Sequence, residues 1–397
     1  MKHIEPACTD HETRATPVKP PRRILLVCPQ RIGDVLLATP LAHSLKLAWP
    51  DAQVDMLVFA DTQGVIEGNA DIATIIPVPR RARWREQLMQ ARRLWRKYDI
   101  ALSPIPTDRA RLYCWAAARR RYGMRPTRGQ GLAKQILPWL LLNQTLVFDD
   151  LDTHTVAMGL RLTALLGIPP SFTVIPPSVP ATQAAEKSAL SAVFAKATPY
   201  VVLHPYPKFA YKMWTHAAWV SLARWCAGLG LRVIFTGGPD ADECAYVKGI
   251  VSDPAASLPG DAVSDIVNLA GTLSLAQTAQ LIRGATLYVG PDTAVTHIAA
   301  ATGTPTIALF GPSNPVKWGP LPHGWKQFAS PWRRVGSARQ GNVHLVQGQA
   351  ACVPCLLEGC GRQVESTSDC LQHLPVAAVI TAAQAFLNGR QVNHPSC

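Results

Sequence analysis

From Tyr288 to Pro320 the chain reads YVGPDTAVTHIAAATGTPTIALFGPSNPVKWGP, a stretch that leaves few folds open. Leu287 to Val289 has the apolar character of a short buried strand, Gly290-Pro291-Asp292-Thr293 is a turn that caps a helix, and Ala294 to Thr302 is that helix. Gly303 stops it. Thr306 to Phe310 is apolar throughout, as expected of a strand covered on both faces of a parallel sheet. A helix starting at the carboxyl end of a parallel strand presents unpaired N–H groups and its positive dipole end, which is where such sheets hold a diphosphate. The ligand expected from this grammar is a nucleotide derivative.

Ile24 to Pro40, ILLVCPQRIGDVLLATP, repeats the pattern near the other end: an aliphatic run to Cys28, a polar turn from Gln30 to Asp34 in which Gly33 would permit tight backbone geometry, then amphipathic helix from Val35 to Ala48. Further strands are predicted at Arg23–Cys28, Val54–Phe59, Thr74–Val78 and Ile100–Ile105, with helices at Trp84–Tyr98, Arg109–Arg119 and His154–Leu166 between and after them. The alternation resumes after a Pro-rich stretch. Its strands are Tyr200–His204, Arg232–Thr236, Val267–Leu269, Thr286–Val289 and Thr306–Phe310, and its helices begin with Glu186–Ala195 and end with Val376–Leu387. The expected organisation is a leader (1–22), a first Rossmann-like domain (23–168), a linker (169–185), a second Rossmann-like domain (186–350) and a Cys-containing tail ending in a helix (351–397).

The segments RIGDVLLATPL, HPYPKFAYKMW, VIFTGGPDADE and GPDTAVTHIAAATGTPTIALFGPSNP, in that order from Arg31 to Pro315, resemble the heptosyltransferases of glycosyltransferase family 9. The likeness runs from Arg23 to about Pro320. It implies an α/β GT-B fold, two facing Rossmann-like domains with parallel sheets and a C-terminal helix, and an inverting transfer of heptose from ADP-heptose to a phosphorylated lipopolysaccharide inner-core acceptor. The resemblance places the catalytic aspartate at Asp34 and makes Lys212, just before Trp214, the cation that stabilises the departing ADP.

Each position also has a plainer physical account. Asp34 ahead of an apolar helical run suits a helix cap as well as a general base. Lys212 and its neighbour Lys208 could be solvated lysines or phosphate contacts; a fixed cation that gains interaction as leaving-group charge develops favours the transition state. The amides of Thr293, Ala294 and Val295 would complete the cradle, with Ala294 standing where many family members have Gly. Asp292 would repel a diphosphate, so the expectation is that it binds donor-sugar hydroxyls or caps the helix. His297, one turn on, faces the same side and is a donor contact or a satisfied core histidine. Gly237 and Gly238 allow close approach of a nucleotide, and Asp240 or Glu243 would take the ribose hydroxyls. Arg31 and Gly33 are assigned to the acceptor. No divalent cation is called for, because lysine and helix amides serve the diphosphate.

Charge is unevenly distributed. The net charge is +13, and arginines at 80, 81, 83, 85, 92, 93, 96, 109, 111, 119, 120, 121, 125 and 128 crowd the first half. A basic face of this kind suits a phosphorylated acceptor and the anionic inner face of the cytoplasmic membrane, or is simply solvated. No nucleic-acid-binding module is spelled out, so nucleic acid is excluded as a partner. With no run of eighteen apolar residues and no signal-peptide core, the expectation is a cytoplasmic, membrane-peripheral enzyme. Cys352, Cys355, Cys360 and Cys370 could bind structural zinc or iron, remain unligated thiols, or, least of all, form disulfides. Another GT-B nucleotide-sugar transferase or epimerase, or a non-catalytic sugar-nucleotide-binding protein, are the competing functions.

Overall fold

The computed structural model describes residues 19–126, 132–179, 189–196, 198–256 and 265–391. In the first lobe β1 (Arg23–Val27) runs into α1 (Ile32–Leu37) and α2 (Thr39–Ala48), followed by β2 (Gln53–Phe59), β3 (Thr74–Val78) and α3 (Trp84–Leu94). Then come β4 (Tyr98–Ser103), α4 (Asp108–Ala117), β5 (Ala118–Arg125), α5 (Leu132–Leu141), β6 (Gln144–Val147), α6 (Thr155–Leu160) and α7 (Leu162–Leu166). All strands pair in parallel in the order β3-β2-β1-β4-β5-β6. The reversal of strand order beside β1 opens a crevice at the carboxyl end of that strand, where α1 begins.

The second lobe contains α8 (Ala189–Phe194), β7 (Tyr200–Leu203), α9 (His216–Gly228), β8 (Arg232–Phe235), α10 (Ala241–Val251), β9 (Ile266–Asn268) and α11 (Leu275–Arg283). It continues through β10 (Leu287–Pro291), α12 (Ala294–Ala301), β11 (Thr306–Phe310), α13 (Pro315–Trp318), β12 (Ala338–Gln340), β13 (Val343–Gln347), α14 (Asp369–Gln372) and α15 (Val376–Gln391). Its sheet is ordered β12-β13-β11-β10-β7-β8-β9, parallel except for the β12–β13 edge. Strands β7, β8, β10 and β11 are buried at every residue, which is why their sequences are apolar without alternation.

Several expectations change. The single helix predicted from Val35 is two, starting at Ile32 and interrupted at Ala38. Pro40 cannot donate to the Leu36 carbonyl, and the Thr39 hydroxyl takes that carbonyl at 2.7 Å instead. Strands β5, β6, β12 and β13 were not predicted. In β5 the residues Arg119 to Arg121, read as helix end and basic surface, form an edge-ward strand with Ala118, Tyr122 and Met124 buried. The leader to residue 18 and 180–188 of the linker and following helix lie outside the described residues. Val379, Ala382, Ala383 and Phe386 of α15 pack into the core of the second lobe, beside α9 and β10, β11 and β13.

The lobes touch. Helix α1 packs on α12, and Ile298, Ala301 and Leu321 from the second lobe join the apolar core of the first. Polar contacts extend the junction: Asn314 Nδ2 donates to the Leu151 carbonyl at 2.6 Å, the Thr155 hydroxyl to the Lys317 carbonyl at 3.1 Å, and His154 Nε2 meets the Gly319 carbonyl at 2.8 Å.

Candidate active site

Asp34 sits in the first turn of α1, at the carboxyl end of β1. It is not the N-cap, since the helix begins earlier and Arg31 occupies that place. Burial raises the carboxyl above its ordinary range; Arg31, Lys317, the Arg31 amide and Lys212 oppose the rise without cancelling it. A carboxylate with raised proton affinity, facing cations from the opposite lobe, is equipped to receive a proton. Gly33 has an ordinary φ inside the helix, so no tight turn demands glycine there. A Cβ added to it would enter open space, and its smallness leaves room beside Asp34.

Across the cleft, Lys212 closes a short 3-10 turn (Ala210–Lys212) and donates to the Asp292 carboxylate at 2.6 Å. Asp292 is therefore neither the cap of α12, a place Thr293 holds, nor an unpaired repulsive charge. Burial would raise its carboxyl, but Lys212, His297 and Ser313 hold it below the usual value. The sequence MWT after Lys212 explains the lysine's fixed position, because Trp214 is buried and its indole N–H donates to the Leu374 carbonyl at 2.9 Å.

Thr293 has extended backbone and Ala294 is the first helical residue of α12, so an alanine fits where the family often has glycine. The Thr293 hydroxyl meets Thr296 Oγ1 at 3.3 Å, and Thr296 in turn donates to the Pro291 carbonyl at 2.5 Å. Gly290 is required by this packing: a Cβ there would lie 2.3 Å from the Tyr288 hydroxyl. His297 is buried, which depresses its pKa to about 4, and among the described residues its Nδ1 has no partner. Neutral at physiological pH, it is a ring nitrogen available to a ligand beside Asp292 and Lys212.

At the carboxyl end of β8, Gly237 and Gly238 lie under the Glu243 side chain; Cβ atoms on them would come within 3.1 and 2.8 Å of its carboxylate. Burial raises the Glu243 carboxyl, against the pull of the Gly238 amide. Asp240 is exposed and accepts the Asp242 amide at 3.0 Å as the cap of α10. Of the two acids considered for the ribose, the structure puts Glu243 over the glycine turn and Asp240 on the helix end. Lys208 is exposed beside the Phe209 ring, over which Arg31 also lies from the other lobe, 5.2 Å from its centroid.

Lys317 was not singled out in the sequence, although it lies within SNPVKW. Asn314 caps α13, accepting the Val316 amide at 3.1 Å, and this short helix carries Lys317 into the lobe junction. The lysine is buried, paired with Asp150, and lies 4.8 Å from the Phe148 ring centroid. Burial lowers its pKa to about 8 against the fields of Asp34 and Asp149. His154, likewise missed, is buried with its pKa lowered to about 4. Nothing local in the sequence marks either residue as buried, because both are enclosed by the partner lobe.

The four tail cysteines, left open by the sequence between a metal site, unligated thiols and disulfides, form no disulfide. Burial, and then Cys355, Cys360 and Cys352 nearby, push the Cys370 thiol up to about 11, so the four thiols are neighbours. Among the described residues no three His, Cys, Asp or Glu side chains converge to hold a metal, and Cys360 Sγ accepts the Asp369 amide at 3.4 Å. Arg111 also leaves the basic surface: it is buried, donating to the Met124 carbonyl at 3.0 Å.

Residues 90–339 match the sequence model of glycosyltransferase family 9 (heptosyltransferase). The chain is 29% identical over 315 residues to lipopolysaccharide heptosyltransferase 3 of Escherichia coli strain K12, covering 75% of this chain and 84% of the relative. It is 28% identical over 351 residues to lipopolysaccharide heptosyltransferase 1 of Pseudomonas aeruginosa, covering 86% and 88%. The solved structure of E. coli ADP-heptose LPS heptosyltransferase II has the same fold, with a TM-score of 0.68 at 21% identity over 93% of this chain and 99% of the other. A GT-B pair of Rossmann-like lobes, facing one another across an acid on one side and a lysine-backed helix end on the other, and a family match over most of the chain together make this protein a glycosyltransferase of family 9, the heptosyltransferases.

Proposed function

We propose that this enzyme moves a heptose from ADP-heptose to a phosphorylated inner-core sugar of lipopolysaccharide with inversion at the anomeric carbon. The observation that carries this reading is the Lys212–Asp292 pair at the amino end of α12, standing opposite Asp34. The acceptor hydroxyl oxygen attacks the anomeric carbon, the bond from that carbon to the β-phosphate oxygen breaks, and the electron pair leaves with ADP. Asp34 takes the hydroxyl proton. Lys212 and the first-turn amides of α12 receive the charge that grows on the diphosphate, with Lys208 at the rim and His297 as a donor to, or acceptor from, the donor's oxygens.

Glu243, above Gly237 and Gly238, suits the ribose hydroxyls, and Asp240 serves by fixing the start of α10. Arg31 and the space beside Gly33 face the acceptor. Residues 23–168 would form the acceptor-binding domain and 186–350 the donor-binding domain, joined by 169–185. Because the acceptor is lipid-borne, the enzyme works at the cytoplasmic face of the inner membrane; no helix among the described residues is long and apolar enough to cross one. The Cys370 thiol cluster takes no part in this scheme.

The test is incubation with ADP-heptose, UDP-sugars and truncated core acceptors, read by mass spectrometry and by the anomeric configuration of the product. Transfer from a UDP-sugar alone would mean a different nucleotide-sugar transferase. Donor binding without any transfer would mean a sugar-nucleotide-binding protein, and either result removes the proposal.

A further inference from the structure

Helix α3 is attached to the first lobe by one side only, with Leu94 its sole buried residue. Its sequence, WREQLMQARRL, places Trp84, Leu88 and, just past its end, Trp95 along one stripe, and all three are exposed, Trp84 at 69%. Arg85 and Arg92 flank that stripe. Between positions 80 and 97 eight basic residues stand against the one acid Glu86. Helix α3 packs beside α4 and α4 beside α5, so the exposed Trp115 and Trp139 belong to the same helical layer.

The tryptophans come with cations. Arg85 lies 5.3 Å from the Trp84 ring centroid, Arg96 5.1 Å from Trp95, and Arg125 5.6 Å from Trp139, while Trp95 and Trp115 meet edge to face at 5.3 Å. Exposed indoles cost hydration free energy that a water-facing surface has no reason to bear. At a lipid interface the same ring is favoured at headgroup depth, with the guanidinium beside it meeting phosphates. Nucleic-acid platforms need open ring faces tracking a groove, whereas these rings stand on convex helices, with an arginine over Trp84, Trp95 and Trp139 and the edge of Trp95 against Trp115.

We propose that the outer face of α3, α4 and α5 is the surface by which this enzyme docks on an anionic membrane, the tryptophans entering the headgroup layer and the arginines binding lipid phosphates. The inference extends the reading of a lipid-borne acceptor given above. Helix α3 begins after the carboxyl end of β3, the same edge of the sheet at which α1 presents Asp34.

The experiment is sedimentation of the full chain with vesicles of phosphatidylcholine alone or mixed with phosphatidylglycerol, alongside the shift in tryptophan emission. The wild type is expected to sediment with the anionic vesicles only. Arg92→Gln with Arg93→Gln should weaken that binding about thirty-fold, and Trp84→Ser with Leu88→Ser should reduce both binding and the blue shift while thermal melting stays unchanged. Equal binding to both vesicle types, or variants that sediment like the wild type, overturns the proposal. So does tighter binding to duplex DNA than to vesicles. The vesicles contain no acceptor, so a chain that docks but transfers no heptose supports this inference while removing the catalytic one.

Discussion

Lys317, carried by the second lobe, lies within the electrostatic reach of Asp34 in the first and lowers the proton affinity of its carboxyl. That carboxyl is thus drawn toward its ionised form partly by a residue that reaches it only when the lobes meet. Lys317→Met should raise the Asp34 pKa and move the acid limb of the kcat/KM profile to higher pH. Lys317→Arg should restore the limb. A loss of activity with an unmoved limb would mean that Lys317 only holds the lobes together.

Asp34→Asn should lower kcat by about 10²- to 10⁴-fold, the range of a removed general base. Stability should go the other way. A carboxyl whose folded pKa lies above its unfolded value leaves the folded state at a disadvantage at pH above both, and that disadvantage fades as pH falls through them. The asparagine variant should therefore melt at or above the wild-type temperature near neutral pH, with the gap closing on acidification, as calorimetry can measure. An unchanged turnover would relocate the base.

Breaking the Lys212–Asp292 pair from the lysine side leaves a buried carboxylate without its cation. Lys212→Met should cost about 3 kcal/mol of stability as well as most of the activity. Adding Asp292→Asn should recover much of the stability but none of the transfer, a separation that chemical denaturation and a coupled ADP assay can read. Recovery of activity in the double variant would refute the leaving-group role.

Ala294→Gly should not tighten ADP binding, because Ala294 already has helical backbone geometry at the start of α12. The expected change is a loss of at most about 1 kcal/mol in stability. A several-fold gain in affinity by calorimetry would show that the methyl group obstructs the diphosphate.

Transfer should persist in excess chelator if, as proposed above, Lys212 and the α12 amides supply the positive potential that a divalent cation would otherwise provide. A strict magnesium requirement in the purified enzyme would contradict that cradle.

Much of this architecture was legible residue by residue. The apolar runs at Ile24, Tyr200, Arg232 and Thr306 are central strands buried on both faces, and such strands must be continuously apolar, so their sequence identifies them. Strand β5 was not legible: ARRRYGMR follows a helix without a turn signal and carries three consecutive arginines, and its pairing with β4 overrides that local character. Strand β13 is held by its parallel register with β11, and β12 by its antiparallel register with β13.

By itself the sequence determined the paired strand–turn–helix units and, through its resemblance to known heptosyltransferases, the family. The units follow from local periodicity and capping, which depend on neighbours a few residues away. Only the tertiary structure decided that Asp292 holds Lys212, that Glu243 rather than Asp240 covers the glycine turn, and that Lys317 comes within electrostatic reach of Asp34. Burial and charge pairing arise between residues distant in the chain, and a lysine becomes a partner instead of a surface group when the opposite lobe takes its water away.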